Sequence, residues 1–149
     1  GDVFDGSQPP APKLLREKGY QSAVVGKWHL KSEPEGFDHF EVLKGQGQYY
    51  NHGLLTNGEM VSHEGYTTDI ITDQTIKWLD QRDPDKPFFL MSQHKAPHGR
   101  WEPAFRHLEF LEEVEVYCRT QGLSHIRTTT EVPFDAVLLK MMRAAAVRA

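Results

Sequence analysis

The chain has a single cysteine, Cys118, which excludes an internal disulfide framework. It also lacks long hydrophobic runs. Stretches such as Phe88-Phe89-Leu90-Met91 fall far short of the roughly 18 residues a bilayer-crossing helix needs, so no transmembrane helix is expected. No excess of positive charge is present either, since 17 Lys+Arg against 21 Asp+Glu leave a formal net charge of −4. That balance excludes nucleic acid or an anionic membrane surface as the expected main partner, and any bound anion must be held by a local cluster. The chain opens Gly1-Asp2-Val3 without an initiator methionine or a charged-then-apolar leader, so its natural start is expected to lie upstream.

At 149 residues the sequence fits one domain at most. The apolar share of 38% is lean, but 11% aromatic residues and two buried-strand signals argue for a core rather than disorder. Residues 10–18 carry Pro10 and Pro12 for a first helical turn and Leu14 and Leu15 for an apolar face, with Gly19 suited to the left-handed position that ends a helix. Residues 20–26 then read as a buried strand closed by Gly26. Residues 32–65 show no sustained period and are expected to form a long loop facing a substrate, with a short hairpin at Asn57-Gly58. A helix is predicted from Thr67 or Thr68, capped by a hydroxyl, with Ile71, Thr75, Trp78 and Leu79 on one face. After the turn at residues 82–87, Phe88 to Ser92 read as a strand buried on both faces. Two helix–turn–strand units in succession favour neighbouring parallel strands in a layered α/β sheet.

Open α/β sheets bind ligands outside the carboxyl ends of their strands. Two polar clusters fall there: Gly26-Lys27-Trp28-His29 and Gln93-His94-Lys95-Ala96-Pro97-His98. A lysine or histidine after a strand is usually a solvated loop residue, but two such clusters offer ammonium groups to neutralise a compact oxyanion and imidazoles to move a proton. Alternation in an extended segment puts Lys27 and His29 on one side and Trp28 on the other. Pro97 breaks the helical register that a His94/His98 zinc pair would need. Gly45-Gln46-Gly47 lacks the third glycine and the strand-turn-helix setting of a dinucleotide loop and reads as a turn. Trp101 and Tyr49 could stack on a sugar, although packing is the commoner fate of an aromatic side chain.

Residues 15–30, Leu15-Arg16-Glu17-Lys18-Gly19-Tyr20-Gln21-Ser22-Ala23-Val24-Val25-Gly26-Lys27-Trp28-His29-Leu30, resemble the second signature of the type I, formylglycine-dependent sulfatases of the alkaline phosphatase-like superfamily. Gly36-Phe37-Asp38, the run from Gly45 to Asn51, Tyr66 to Asp69, and Lys86 through His98 continue the resemblance, most similar to the glycan-desulfating members such as the N-acetylglucosamine-6-sulfatases and mucin-desulfating enzymes. The resemblance implies a partial alkaline phosphatase-like layered α/β/α sheet over residues 1–114 and a sulfated carbohydrate as substrate. It further implies that Lys27 binds a sulfate oxygen, His29 hydrogen-bonds the formylglycine hydrate, His98 protonates the leaving alcohol, and Lys95 assists. Calcium in the intact enzyme, and an extracytoplasmic location, periplasmic or secreted, are implied in the same way.

The departures matter too. No Cys/Ser-x-Pro-x-Arg motif for the nucleophile occurs, and the early Asp-Asp and later Asp-Asn metal pairs are not found, so no metal ligand is assigned to this chain. The sequence reads as an internal slice of a catalytic domain, expected to be inactive alone. Residues 115–149 are off pattern, and two explanations stay open: a shift of reading frame, or divergence of a poorly ordered surface tail. Two other functions also stay open: a phosphoester or phosphonate hydrolase of the same superfamily, and a non-catalytic glycan-binding module.

Overall fold

The computed structural model describes residues 9–99, 102–108 and 120. The chain falls into two compact units, Gly1–Ala96 and Pro97–Ala149. In the first unit, helix α1 (Ala11–Arg16) leads into strand β1 (Gln21–Trp28); strands β2 (His39–Lys44), β3 (Leu54–Thr56) and β4 (Glu59–Val61) follow, then helix α2 (Thr67–Gln81) and strand β5 (Phe88–Gln93). The sheet order is β4-β3-β2-β1-β5. Both β2 and β5 run parallel to β1, while β3 and β4 form an antiparallel hairpin appended to β2. The parallel pairing of β1 with β5 is the one expected from the two helix–turn–strand units.

The core lies on both faces of β1. On one face Val25, Leu43 and Leu54 meet Ile70 and Ile71 of α2. On the other, Val24, Val42 and Leu55 are covered by Trp28, Phe37, Phe40 and Met91. Each fully buried Val, Leu or Ile side chain contributes about 1.5–3 kcal/mol, and this central stripe therefore holds the sheet together.

The long loop predicted over residues 32–65 is corrected. Three strands lie within it, because Glu41 occupies a core-facing register beside Val25 and masks the alternation of His39 to Lys44. Glu41 is accommodated by a 2.9 Å contact to His39 Nε2. The hairpin at Asn57-Gly58 is present, with both residues left-handed at φ 47° and 95°, as a tight turn of this kind requires.

Four smaller expectations also change. The strand is not closed by Gly26 but runs on to Trp28. The helix α2 has no side-chain cap, because the Thr67 hydroxyl donates instead to Gln48 O at 2.8 Å. Leu14 is exposed on α1, and Pro12 is the residue that helix buries. Strand β5 is not buried on both faces: among the described residues it is an edge strand, with Phe88 exposed against Trp78.

The amino end of β1 is tied down by the Gly36-Phe37-Asp38 motif. Ser22 donates both N–H and hydroxyl to Asp38 Oδ2 at 2.8 and 3.0 Å, and Arg16 Nε lies 2.6 Å from Asp38 Oδ1. Phe37 stacks on Phe89 and meets Trp28 edge-on. In the second unit, Phe105–His107 form one 3₁₀ turn. No described helix is long and apolar enough to cross a membrane. Trp101, Cys118 and nearly all of residues 115–149 lie outside the described residues.

Candidate functional site

The carboxyl ends of β1, β2 and β5 share one end of the sheet, since these three strands are parallel. Lys27 lies near the end of β1, in register with Leu43. Trp28, next along, turns to the opposite face and donates its indole N–H to Ser32 O at 2.7 Å. For Lys27 and Trp28 this is the alternation read from the sequence. His29 follows the last residue of the strand and is exposed.

The chain leaves β2 through Gly45-Gln46-Gly47. Gly45 and Gly47 are left-handed at φ 69° and 63°, and Gly45 N–H donates to Trp28 O at 3.1 Å, hooking the turn onto the end of β1. Gly47 also has no room for a side chain, because a Cβ there would lie 2.6 Å from Leu43 Cδ1. The turn presents Gln46 between two ammonium groups. Lys27 Nζ donates to the Gln46 side-chain oxygen at 2.8 Å, and Lys95 Nζ, arriving from the end of β5, donates to the Gln46 backbone carbonyl at 2.8 Å.

Lys95 is buried, only 6% exposed, and its ammonium lies 4.8 Å from the centre of the Tyr49 ring. A buried charge needs such partners: a carbonyl dipole and an aromatic face offset part of its lost hydration. Tyr49 is therefore a packing residue, 3% exposed and stacked on Tyr66, and not a platform open to a sugar. His52 has its proton affinity lowered, first by burial and second by the positive charge of Lys95.

The structure therefore brings Lys27 and Lys95 together through Gln46, with His29 following Lys27 in the chain. His98 belongs to the second unit, where it is exposed. The sequence reading missed Gln46 and His52. The signals for Gln46 were its place between two glycines and within the Gly45 to Asn51 run that continues the resemblance, and nothing marked His52 as the neighbour of a lysine 43 positions away. Among the described residues no group of three or more His, Cys, Asp or Glu side chains is arranged to hold a metal ion. The resemblance places the calcium ligands outside this chain, and none of these residues is assigned to the ion.

What the cluster offers chemically is two fixed positive charges at the mouth of a parallel sheet. One of them is bound to an exposed neutral oxygen that an anionic oxygen can displace.

Comparison with known proteins gives the family. A family model described as Sulfatase matches residues 5–121. The chain is 52% identical over 109 residues to an N-acetylglucosamine-6-O-sulfatase of Bacteroides thetaiotaomicron, covering 71% of this chain and 20% of that protein. It is 30% identical over 119 residues to the N-acetylglucosamine-6-sulfatase of Homo sapiens, covering 69% and 22%. A solved structure of a protein in complex with its substrate, D-glucosamine-2-N,6-O-disulfate, superposes with a TM-score of 0.72 at 49% identity, over 75% of this chain and 23% of that one. The chain spans about a fifth of the length of these curated relatives.

Proposed function

Because the chain belongs to the sulfatase family, we propose that it forms one wall of the sulfate pocket in a sulfuric ester hydrolase acting on sulfated glycans. The observation that carries this reading is the pair of lysine ammoniums meeting at Gln46, at the carboxyl ends of three parallel strands. Lys27 exchanges the neutral oxygen of Gln46 for a sulfate oxygen and offsets the charge that grows in the transition state. Lys95 assists from its buried position with a second positive charge. His29 serves as the hydrogen-bond partner of the attacking group, and His98 as the donor of a proton to the departing sugar oxygen; both roles are carried over from the family motif. Calcium and formylglycine belong to this reading as contributions of the whole enzyme, and no ligand for the ion is assigned among the described residues. A sulfated glucosamine-type sugar is the proposed substrate, supported by the relatives' names and by the sugar in the neighbouring complex. An extracytoplasmic location is part of the same proposal.

The test is calorimetric titration of the chain with glucosamine 6-sulfate, beside Lys27→Ala. We expect at least a tenfold loss of affinity in the variant, or about 1.4 kcal/mol. Identical isotherms for the two proteins would refute the assignment of Lys27. Tighter binding of glucosamine 6-phosphate than of the sulfate would favour a phosphoester hydrolase instead.

A further inference from the structure

We propose that Gln46 is a positioning residue for Lys27, and that the buried Lys95 acts on Lys27 by way of Gln46. The functional weight of this arrangement rests on the reading of Lys27 as an oxyanion ligand; the arrangement itself rests on geometry.

A lysine ammonium has three donors and no acceptor, so the oxygen of the Gln46 carboxamide must be the atom that faces Lys27. Gln46 is exposed and stands between two left-handed glycines. Its side chain could point in many directions if the turn were loose. The turn is held from two sides: Gly45 N–H binds the end of β1, and the Lys95 ammonium binds the carbonyl of Gln46 itself. Lys95 is a suitable anchor, since it is buried against the Tyr49 ring and cannot follow solvent. Its grip on the backbone fixes where the carboxamide begins, and the carboxamide fixes where the Lys27 ammonium ends. A flexible four-carbon stem that would otherwise sample several rotamers is thereby held near one position. An arriving oxyanion then meets an ordered charge, and loses less freedom on binding.

The experiment follows the side-chain ammoniums of the full-length chain by ¹⁵N relaxation. In the parent chain the Lys27 ammonium is expected to be ordered relative to the exposed Lys77. In Gln46→Leu its order parameter should fall into the flexible range, below about 0.6. Gln46→Glu, which keeps an oxygen acceptor, should restore the ordering. Lys95→Met should also release Lys27 while the amide spectrum of β1 and β2 stays dispersed. If that variant does not fold, Gln46→Leu still decides the matter, because it changes only an exposed side chain. An unchanged Lys27 in Gln46→Leu, or in folded Lys95→Met, overturns the proposal. Inorganic sulfate added to the parent chain and to Lys27→Ala separates the two questions. Equal affinity there defeats the oxyanion reading, while loss of Lys27 order in the Gln46 variant still upholds the positioning role.

Discussion

Gly26 is the point at which the packing of the site can be tested most directly. It sits within β1 at φ 111°, paired with Gln93 of β5. A Cβ on this residue would lie 1.9 Å from Gln93 O and 2.7 Å from Gln93 C. Ordinary contact begins at 3.4 Å, so β1 and β5 must part by about 1.5 Å to admit it. Strands are spaced only about 4.8 Å apart, and a shift of that size breaks the ladder hydrogen bonds on either side, each worth about 1 kcal/mol. The left-handed backbone adds about 1–2 kcal/mol for any L-residue. Gly26→Ala should therefore cost about 3–4 kcal/mol, a large part of a typical folding free energy of about 5–15 kcal/mol. Gly19→Ala supplies the control: its φ is 85° and nothing lies within 4 Å of its missing Cβ, so it pays only the backbone strain. At about 4–8 °C per kcal/mol for a unit of this size, Gly26→Ala should melt roughly 10 °C below Gly19→Ala. Thermal unfolding followed by circular dichroism reads the difference. Equal melting temperatures for the two variants would mean that β5 does not approach β1 as described, and the bridge from Lys95 to Lys27 would lose its foundation.

Three further outcomes follow from the same structure. Leu43→Ala opens a cavity among Val25, Leu54, Ile70 and Ile71, so urea unfolding should show a loss of about 2–5 kcal/mol. Asn57→Ala loses the acceptor for Phe40 N–H and the donor to His39 Nδ1, and places alanine at φ 47°; about 1–3 kcal/mol should be lost, and Asn57→Gly should recover only the backbone share. His52 binds its proton less readily in the folded chain than in the unfolded one, for burial first and Lys95 second. The unfolded state therefore takes up more protons, so this contribution to stability is complete above the unfolded pKa of 6.5 and is lost as pH falls through the lower folded value. Proton NMR of the His52 ring should titrate below 6.5, and in Lys95→Met it should move part of the way back, since burial remains; an unmoved midpoint would remove Lys95 as a cause.

Much of the sheet could be read from the residues because its signals are local. The apolar run into Val25, the periodic face of α2 and the two prolines after it each state their element without help from distant parts of the chain. What escaped was set by tertiary partners. Strand β2 was hidden because Glu41, a charged residue, occupies a core register, tolerable only beside His39. Gly26 looked like the end of a strand because nothing within β1 announces that the backbone of β5 will come so near. Stacking of Tyr49 on a sugar and packing of Tyr49 were both open from sequence, and Lys95 lying across its ring decides for packing. The site divides in the same way. Lys27 was visible through alternation along one strand, whereas Gln46 acquires its part only from two lysines in other segments, 19 and 49 positions away.

The two ends of β1 carry opposite kinds of polar group, and this division makes the site chemically competent. At the amino end, Ser22 and Asp38 saturate one another and Gln21 exchanges two hydrogen bonds with Asp83 at 2.8 and 2.9 Å. Nothing in that arrangement improves on meeting a ligand. At the carboxyl end, by contrast, Lys27 is satisfied by an uncharged amide oxygen, which an anionic oxygen displaces because it adds the attraction of a full negative charge for the ammonium. A hydrogen bond of intermediate strength keeps the ammonium in place without quenching it. A glutamate in place of Gln46 would hold Lys27 more tightly and repel the oxyanion. The neutral carboxamide is what allows one residue both to order the charge and to give it up.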